Sequence, residues 1–228
     1  MMKNLKNYRN KELRYYLIAN IAVLLLLLDF LNIHQLNSCV QATALISTFL
    51  YISILSSAIF VLTFTADSIF SSKLKELLIG CRLPGETIFT KMKTKNFDKR
   101  FSRKDVLSIY SNIYNSFPNK KKDRYTYENN EWYKIYSKYR KVTMIAISNR
   151  DYLLCRDIYF STIVVIIIYL ILTLLFKIIT FDCRYIGYLV TMLIISNIGT
   201  RIRGRRLACN VIAYDITNRY KTNKNEGE

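Results

Sequence analysis

Apolar residues in this chain come in long continuous stretches, not in the short alternating runs of strands. Two of these stretches, Phe30 to Ala66 and Ile158 to Phe176, contain no Asp, Glu, Lys or Arg. A helix of ~20 residues spans the ~30 Å hydrocarbon core of a bilayer and satisfies its own backbone where lipid cannot. Val40–Ala66 and Ile158–Phe176 therefore predict membrane helices. Two weaker runs lie beside them: Tyr15–Leu36, which holds Leu24–Leu28 but also Asp29, and Tyr185–Thr200, which holds Gly187, Asn197 and Gly199. Each is a few residues from a strong span, and only a reversal through the bilayer keeps all four segments out of water. The fold class that follows is an all-α membrane protein with four transmembrane helices in two hairpins and a basic helical cytoplasmic insert. Its segments are an N-terminus over 1–15, a first hairpin over 16–70, the insert over 71–157, a second hairpin over 158–200 and a tail over 201–228.

Inside the insert, Ser71–Ile79 predicts a continuation of the second span that stops at Gly80. Leu83-Pro84-Gly85 predicts a turn, because proline fixes φ and glycine tolerates positive φ. Ser102 predicts the N-cap of a helix whose apolar residues Val106, Ile109, Tyr110, Ile113, Tyr114 and Phe117 recur at helical spacing. Pro118 and Lys120-Lys121-Lys122 are expected to end it. A last helix is expected to begin near Glu128, with Trp132, Ile135, Tyr136 and Tyr139 along one stripe and an unbroken run into the third span. Lys221–Glu228 is expected to be a disordered tail.

Charge supplies the orientation. The chain has 228 residues and a formal net charge of +18, and basic loops stay on the cytoplasmic side. Five Lys and Arg precede the first span against Glu12 alone, twenty lie in the insert against nine acids, and seven follow Gly199 against three. The link between the first two spans has no Lys or Arg; the other has Lys177, Arg184 and Asp182. Both termini and the insert are thus predicted in the cytoplasm, with the two links outside. A secretory signal ending at Leu36-Asn37-Ser38-Cys39 is rejected, because Asp29 interrupts its apolar run and another span follows Cys39.

Catalytic chemistry has little to build on. The one histidine, His34, falls at the expected outer edge of the bilayer, and no Walker A, dinucleotide-type glycine run or zinc-type cysteine pair occurs. Asp98, Asp105, Glu128, Glu131, Asp151 and Asp157 could in principle pair, but acids among so many bases are expected to be salt-bridged or solvated. No catalytic, metal or cofactor-binding residue is therefore assigned. Cys39 and Cys183 fall in the two predicted external links, where an oxidising compartment permits a disulfide; unpaired small thiols are the alternative.

Polar atoms in spans are the better place to look for activity, since each is unfavourable in lipid unless it faces protein or water. Ser53, Ser56 and Ser57 lie on the second span, where Ser53-xxx-Ser57 has the spacing that lets helices approach closely; Asn20 and Asn197 add an amide to each weaker span. Tight helix packing is one reading of these residues, and a polar path lined by several copies is the other. Arg150-Asp151 and Arg156-Asp157, directly before the third span, are either an interfacial anchor of intrahelical pairs or a coupling element between insert and spans. Lys120, Lys121 and Lys122 are candidates for partner binding.

The paired hairpins Tyr16–Ala66 and Ile158–Thr200, the basic insert and the missing catalytic set together resemble the small membrane effectors of bacterial anti-phage systems, encoded beside retron reverse transcriptases or cyclic-nucleotide synthases. The resemblance lies in the whole layout and no single motif. It implies a non-enzymatic protein that damages the membrane once released by a partner, such as a reverse transcriptase–nucleic acid complex or another defence sensor, and that contacts membrane lipid as a homo-oligomer. A basic insert suits a nucleic-acid-containing partner. A channel or transporter subunit, and a membrane-anchored adaptor for nucleic acid or anionic lipid, remain as other classes.

Overall fold

Seven α-helices can be drawn over the segments that the computed structural model describes, which are residues 2–27, 50, 57, 61, 62, 65, 80, 82–94, 98–177 and 181–225. They are α1 (Met2–Leu27), α2 (Ile88–Thr94), α3 (Arg103–Ile109), α4 (Ser111–Asn115), α5 (Lys121–Tyr139), α6 (Thr143–Leu170) and α7 (Cys183–Asn225), with a π-helical turn at Ile171–Leu175 after α6. No strand occurs among the described residues. The expected helical class holds at that level, and two helical stretches, Thr143–Leu175 and Cys183–Thr222, are long and apolar enough to cross a membrane. Most of the predicted second span Val40–Ala66, its continuation Ser71–Ile79, and Cys39 lie outside the described residues.

The chain divides into two units. The first comprises residues 1–79 and 154–198, the second residues 80–153 and 199–228, so α6 and α7 contribute to both. In the first unit, Leu17, Ile21 and Leu24 of α1 fall at helical spacing and pack with Val165 and Tyr169 of α6 and Tyr185 and Leu189 of α7. Tyr169 and Tyr185 meet edge to face with centroids 4.9 Å apart. Beyond Tyr169, the Thr173 hydroxyl donates to the Tyr169 carbonyl at 2.9 Å within a turn closed by Phe176 N–H to the Ile171 carbonyl at 3.1 Å.

The second unit has its own core, in which Phe89 and Met92 of α2, Val106 of α3, Trp132 and Ile135 of α5 and Ile145 of α6 surround Leu207, Ala208, Val211, Ile212 and Ile216 of α7. Trp132, the only tryptophan, is 4% exposed and donates its indole N–H to the Ala208 carbonyl at 3.4 Å. The tail is therefore neither disordered from Lys221 nor separate from the insert: α7 runs on to Asn225, and its continuation buries an apolar stripe. Gly199 and Gly204 each disfavour a helix interior by ~1 kcal/mol relative to alanine, but the five apolar side chains buried past them outweigh that.

Ser102 caps α3 as expected, through a capping box in which its hydroxyl accepts from Asp105 N–H at 3.1 Å while Asp105 accepts from Ser102 N–H at 3.0 Å. The helix expected to reach Phe117 breaks at Tyr110, whose backbone (φ −109°, ψ 25°) leaves the helical region where its hydroxyl reaches Asp215. Lys120-Lys121-Lys122 begins α5 instead of ending the preceding helix, so α5 starts seven residues before Glu128. Asp123 in the first turn offsets the unfavourable cations there. The unbroken run into the third span is also corrected, since Arg140–Val142 forms a turn between α5 and α6.

Candidate functional site

One concave feature lies wholly within the second unit. It starts from the turn Leu83-Pro84-Gly85, closed by Glu86 N–H to the Leu83 carbonyl at 3.1 Å. Gly85 is needed there because a Cβ would stand 2.8 Å from the Trp132 Cβ and 3.0 Å from the Asn129 backbone. The turn is thereby pressed against α5. It launches α2, which buries Ile88, Phe89 and Met92 and leaves Lys91 exposed. On α7, Gly204 brings the helix against Tyr152 of α6, where an added Cβ would lie 3.2 Å from the ring. Between these elements is a cavity of about 390 Å³ whose lining includes Arg82, Lys91, Arg201 and Arg205, with Thr87, Tyr152 and Thr200, and no Asp or Glu among the described residues. Arg82 also lies over the Tyr125 ring, 4.5 Å from its centroid. Beside the turn, burial raises the Glu86 carboxyl more than the Arg82 charge lowers it.

No family model, curated protein or solved structure matches this chain. The chemistry of the cavity therefore rests on its own residues. Twenty-four Lys and Arg against ten Asp and Glu give the second unit a net charge of +14 out of the chain's +18. Concave positive surfaces of this kind concentrate anions.

Two buried carboxylates of the same unit are already engaged. Asp215, 2% exposed, accepts from Tyr110 at 2.6 Å, Tyr139 at 2.9 Å and the Arg219 Nε at 2.9 Å. Burial first, and then the hydrogen bond to Asp215, raises the Tyr110 hydroxyl far above the ordinary tyrosine range. Glu128, fully buried, accepts from the Thr90 backbone N–H at 3.0 Å and from the Thr90 hydroxyl, tying α5 to α2. Both read as structural ties. Among the described residues, no group of three or more His, Cys, Asp or Glu is placed to hold a metal.

The residues singled out from the sequence scatter over both units. Lys120, Lys121 and Lys122 are exposed at the start of α5. Asp151 pairs with Arg150 at 2.6 Å and with Arg203 of α7 at 3.2 Å, joining α6 to α7 inside the second unit. Arg156 and Asp157, in the first unit, pair with each other at 3.2 Å and are buried. Asn20 is 1% exposed within the first unit's core; its Nδ2 donates to the Tyr16 carbonyl at 2.7 Å while its Oδ1 has no partner. Asn197 is half-buried on α7, Ser57 is exposed, and Ser53 and Ser56 lie outside the described residues. Cys183 is exposed, and a pairing with Cys39 also lies outside the described residues.

Sequence reasoning missed the four cations of the cavity. Arg201 and Arg205 were legible as one face of a helix, four residues apart, but were absorbed into the orientation rule. Nothing in the order of residues brings Arg82 and Lys91 to them.

Proposed function

We propose that this protein is a multi-pass inner-membrane effector of a bacterial anti-phage system, restrained by a partner and permeabilising the membrane when that restraint ends. The membrane part is supported by what the two long apolar helices leave uncovered. Their apolar windows are only 33% and 22% buried, where a core helix of a soluble protein is mostly covered. Ile167, Ile171 and Leu174 on one, and Val190, Ile194, Ile195 and Ile198 on the other, are exposed. Such surface is unfavourable in water by ~25 cal/mol per Å² and not against acyl chains. In this reading the chain crosses four times in two hairpins, and the basic unit and both termini are cytoplasmic.

The same two helices also furnish buried residues to the basic unit. A partner bound to that unit thus acts on helices that carry apolar spans, which is the coupling an effector under restraint requires. The defence role itself is supported by the resemblance of the expected layout to that of such effectors. Several copies would place Ser53, Ser56 and Ser57 along a polar path.

Inducible expression with and without the neighbouring genes, following growth and membrane potential, tests this. Expression alone should depolarise the inner membrane. Replacing Ser53, Ser56 and Ser57 by leucine should reduce toxicity while leaving membrane insertion unchanged. A wild-type chain that inserts and leaves the potential intact, while its basic unit captures nucleic acid or anionic lipid, would replace the effector by an adaptor.

A further inference from the structure

We propose that α1 is a releasable helix of the first unit, and that the buried amide of Asn20 sets how readily it leaves α6 and α7. The inference rests on the membrane reading and not on the defence role. Asn20 lies on the inward-packing face of α1, three residues after Leu17, four before Leu24 and next to Ile21. It is 1% exposed there, and its Oδ1 has no hydrogen-bond partner. Exchanging the amide oxygen and nitrogen does not help, because the Nδ2 position faces the Tyr16 carbonyl at 2.7 Å and must carry a donor.

The hydroxyl protons that tie α1 to its neighbours are already committed. Thr162 of α6 donates to the Ile158 carbonyl at 2.8 Å, so across the 2.6 Å contact between Tyr16 and Thr162 it is Tyr16 that donates. Tyr185 of α7 donates to the backbone carbonyl of Asn20 at 3.3 Å, which leaves the side-chain oxygen without a donor. An unmatched acceptor weighs more between membrane helices than in a water-soluble core. Lipid tails are as apolar as the side chains they replace, so helix association depends on van der Waals packing and hydrogen bonds. Asn20 stands five residues past Tyr15, where the first apolar run starts, or ~7–8 Å along the helix axis. Displacement of α1 from α6 and α7 therefore brings this amide to interfacial water. Its oxygen is satisfied in the released state and unsatisfied in the docked one, and a difference of that kind is what biases a two-state element.

The test measures the distance between two spin labels in the full-length protein in phosphatidylcholine nanodiscs, with the native cysteines replaced by serine. The labels are attached at Arg14→Cys on α1 and Ile167→Cys on α6, both exposed positions of the first unit. A shorter distance for docked α1 and a longer one for released α1 are expected. Asn20→Leu, which keeps the side chain's size and removes the unpaired oxygen, should lower the ratio of released to docked chains about tenfold. Tyr16→Phe, which removes the hydroxyl held by Thr162, should raise that ratio about fivefold. Ala22→Leu, at an exposed position of α1, adds a leucine away from the packed face and should leave the ratio near wild type. A single distance in both the wild type and Tyr16→Phe overturns the proposal. So does a larger released population in Asn20→Leu, which would mean that a buried water or another donor holds the oxygen. An equal decrease in the Ala22→Leu control also overturns it, because added lipophilicity alone would then account for the effect. A chain that does not insert into the nanodisc refutes the membrane reading and this inference with it, an outcome distinct from an inserted chain with one distance. Tyr16→Phe keeps the test decisive if Asn20→Leu does not fold.

Discussion

Replacing Asp215 with alanine asks whether the end of the chain is part of the basic unit's core. The carboxylate sits on α7 and accepts from Tyr110, between α3 and α4, and from Tyr139 at the end of α5. Without it, the Tyr110 hydroxyl, 3% exposed, loses its acceptor, a change that costs ~1–3 kcal/mol. Tyr139 and Arg219 are more exposed and recover water, and removing a buried charge returns part of the loss. A net destabilisation of ~2 kcal/mol corresponds to a fall of roughly 8 °C in midpoint for a domain of this size. Tyr110→Phe, which leaves Asp215 two of its three donors, should cost ~1–2 kcal/mol, and Asp215→Asn, which keeps an acceptor, less than Asp215→Ala. Because Trp132 is the only tryptophan and touches Ala208 of α7, its emission reports this transition directly. If Asp215→Ala unfolds at the wild-type temperature with an unshifted emission maximum, α7 is not docked in that core and the architecture of the unit is wrong.

Burial raises the Cys209 thiol to about 11, so a chain retaining only Cys209 should resist maleimide at pH 8 in the folded state, while one retaining only exposed Cys183 should react. In intact spheroplasts, Cys183 should be labelled by an impermeant reagent; protection there with labelling in inside-out vesicles would reverse the proposed topology. Hydrogen bonding to Arg100 lowers Asp98 to about 2, below its ordinary 3.8. A lowered folded-state value means that the ionised carboxylate stabilises the fold above about pH 4 and loses that effect as pH falls towards 2; Asp98→Asn should flatten this part of the acid-unfolding curve, and an unchanged slope would refute the assignment. Lys121→Glu should stabilise α5 by ~0.3–1 kcal/mol by placing an anion at a helix N-terminus, and a lower midpoint would count against Lys121 as the first helical residue.

Much of the fold was legible where one physical signal dominated. The charge-free run Ile158–Phe176 lies in α6, its terminal π turn and the residue that caps it, and the Ser102–Asp105 box caps α3 by satisfying two backbone donors at the helix start. Competing signals misled at α7. Leu207, Ala208, Val211, Ile212 and Ile216 show helical periodicity, but the seven cations after Gly199 were used for orientation alone and residues 201–228 were expected as a tail. Tyr110 was read correctly as apolar and helical in spacing, yet the helix breaks at this residue, whose hydroxyl bonds to Asp215, 105 positions away, and no local rule anticipates such a partner. Asn20, for which helix packing and a polar path were both open readings, is buried in the first unit's core. The cavity was the least legible, since its four cations come from separate chain segments that only the folded second unit brings together.

The interrupted wiring of the second unit has a consequence for its synthesis. A ribosome delivers residues 80–153 first, then the apolar segments of α6 and α7, and only at the end the stretch from Leu207 to Ile216 that fills the core around Trp132. Until those last residues emerge, Phe89, Met92, Val106 and Trp132 lack the apolar stripe of α7 that completes their core, and the nascent insert waits with an open hydrophobic surface. In the proposed topology, insertion of the intervening helices precedes maturation of the basic unit. A chain cut short near Arg206 would carry every apolar segment and nearly all of its charge, yet could not complete the core, and would present that open surface to chaperones and proteases.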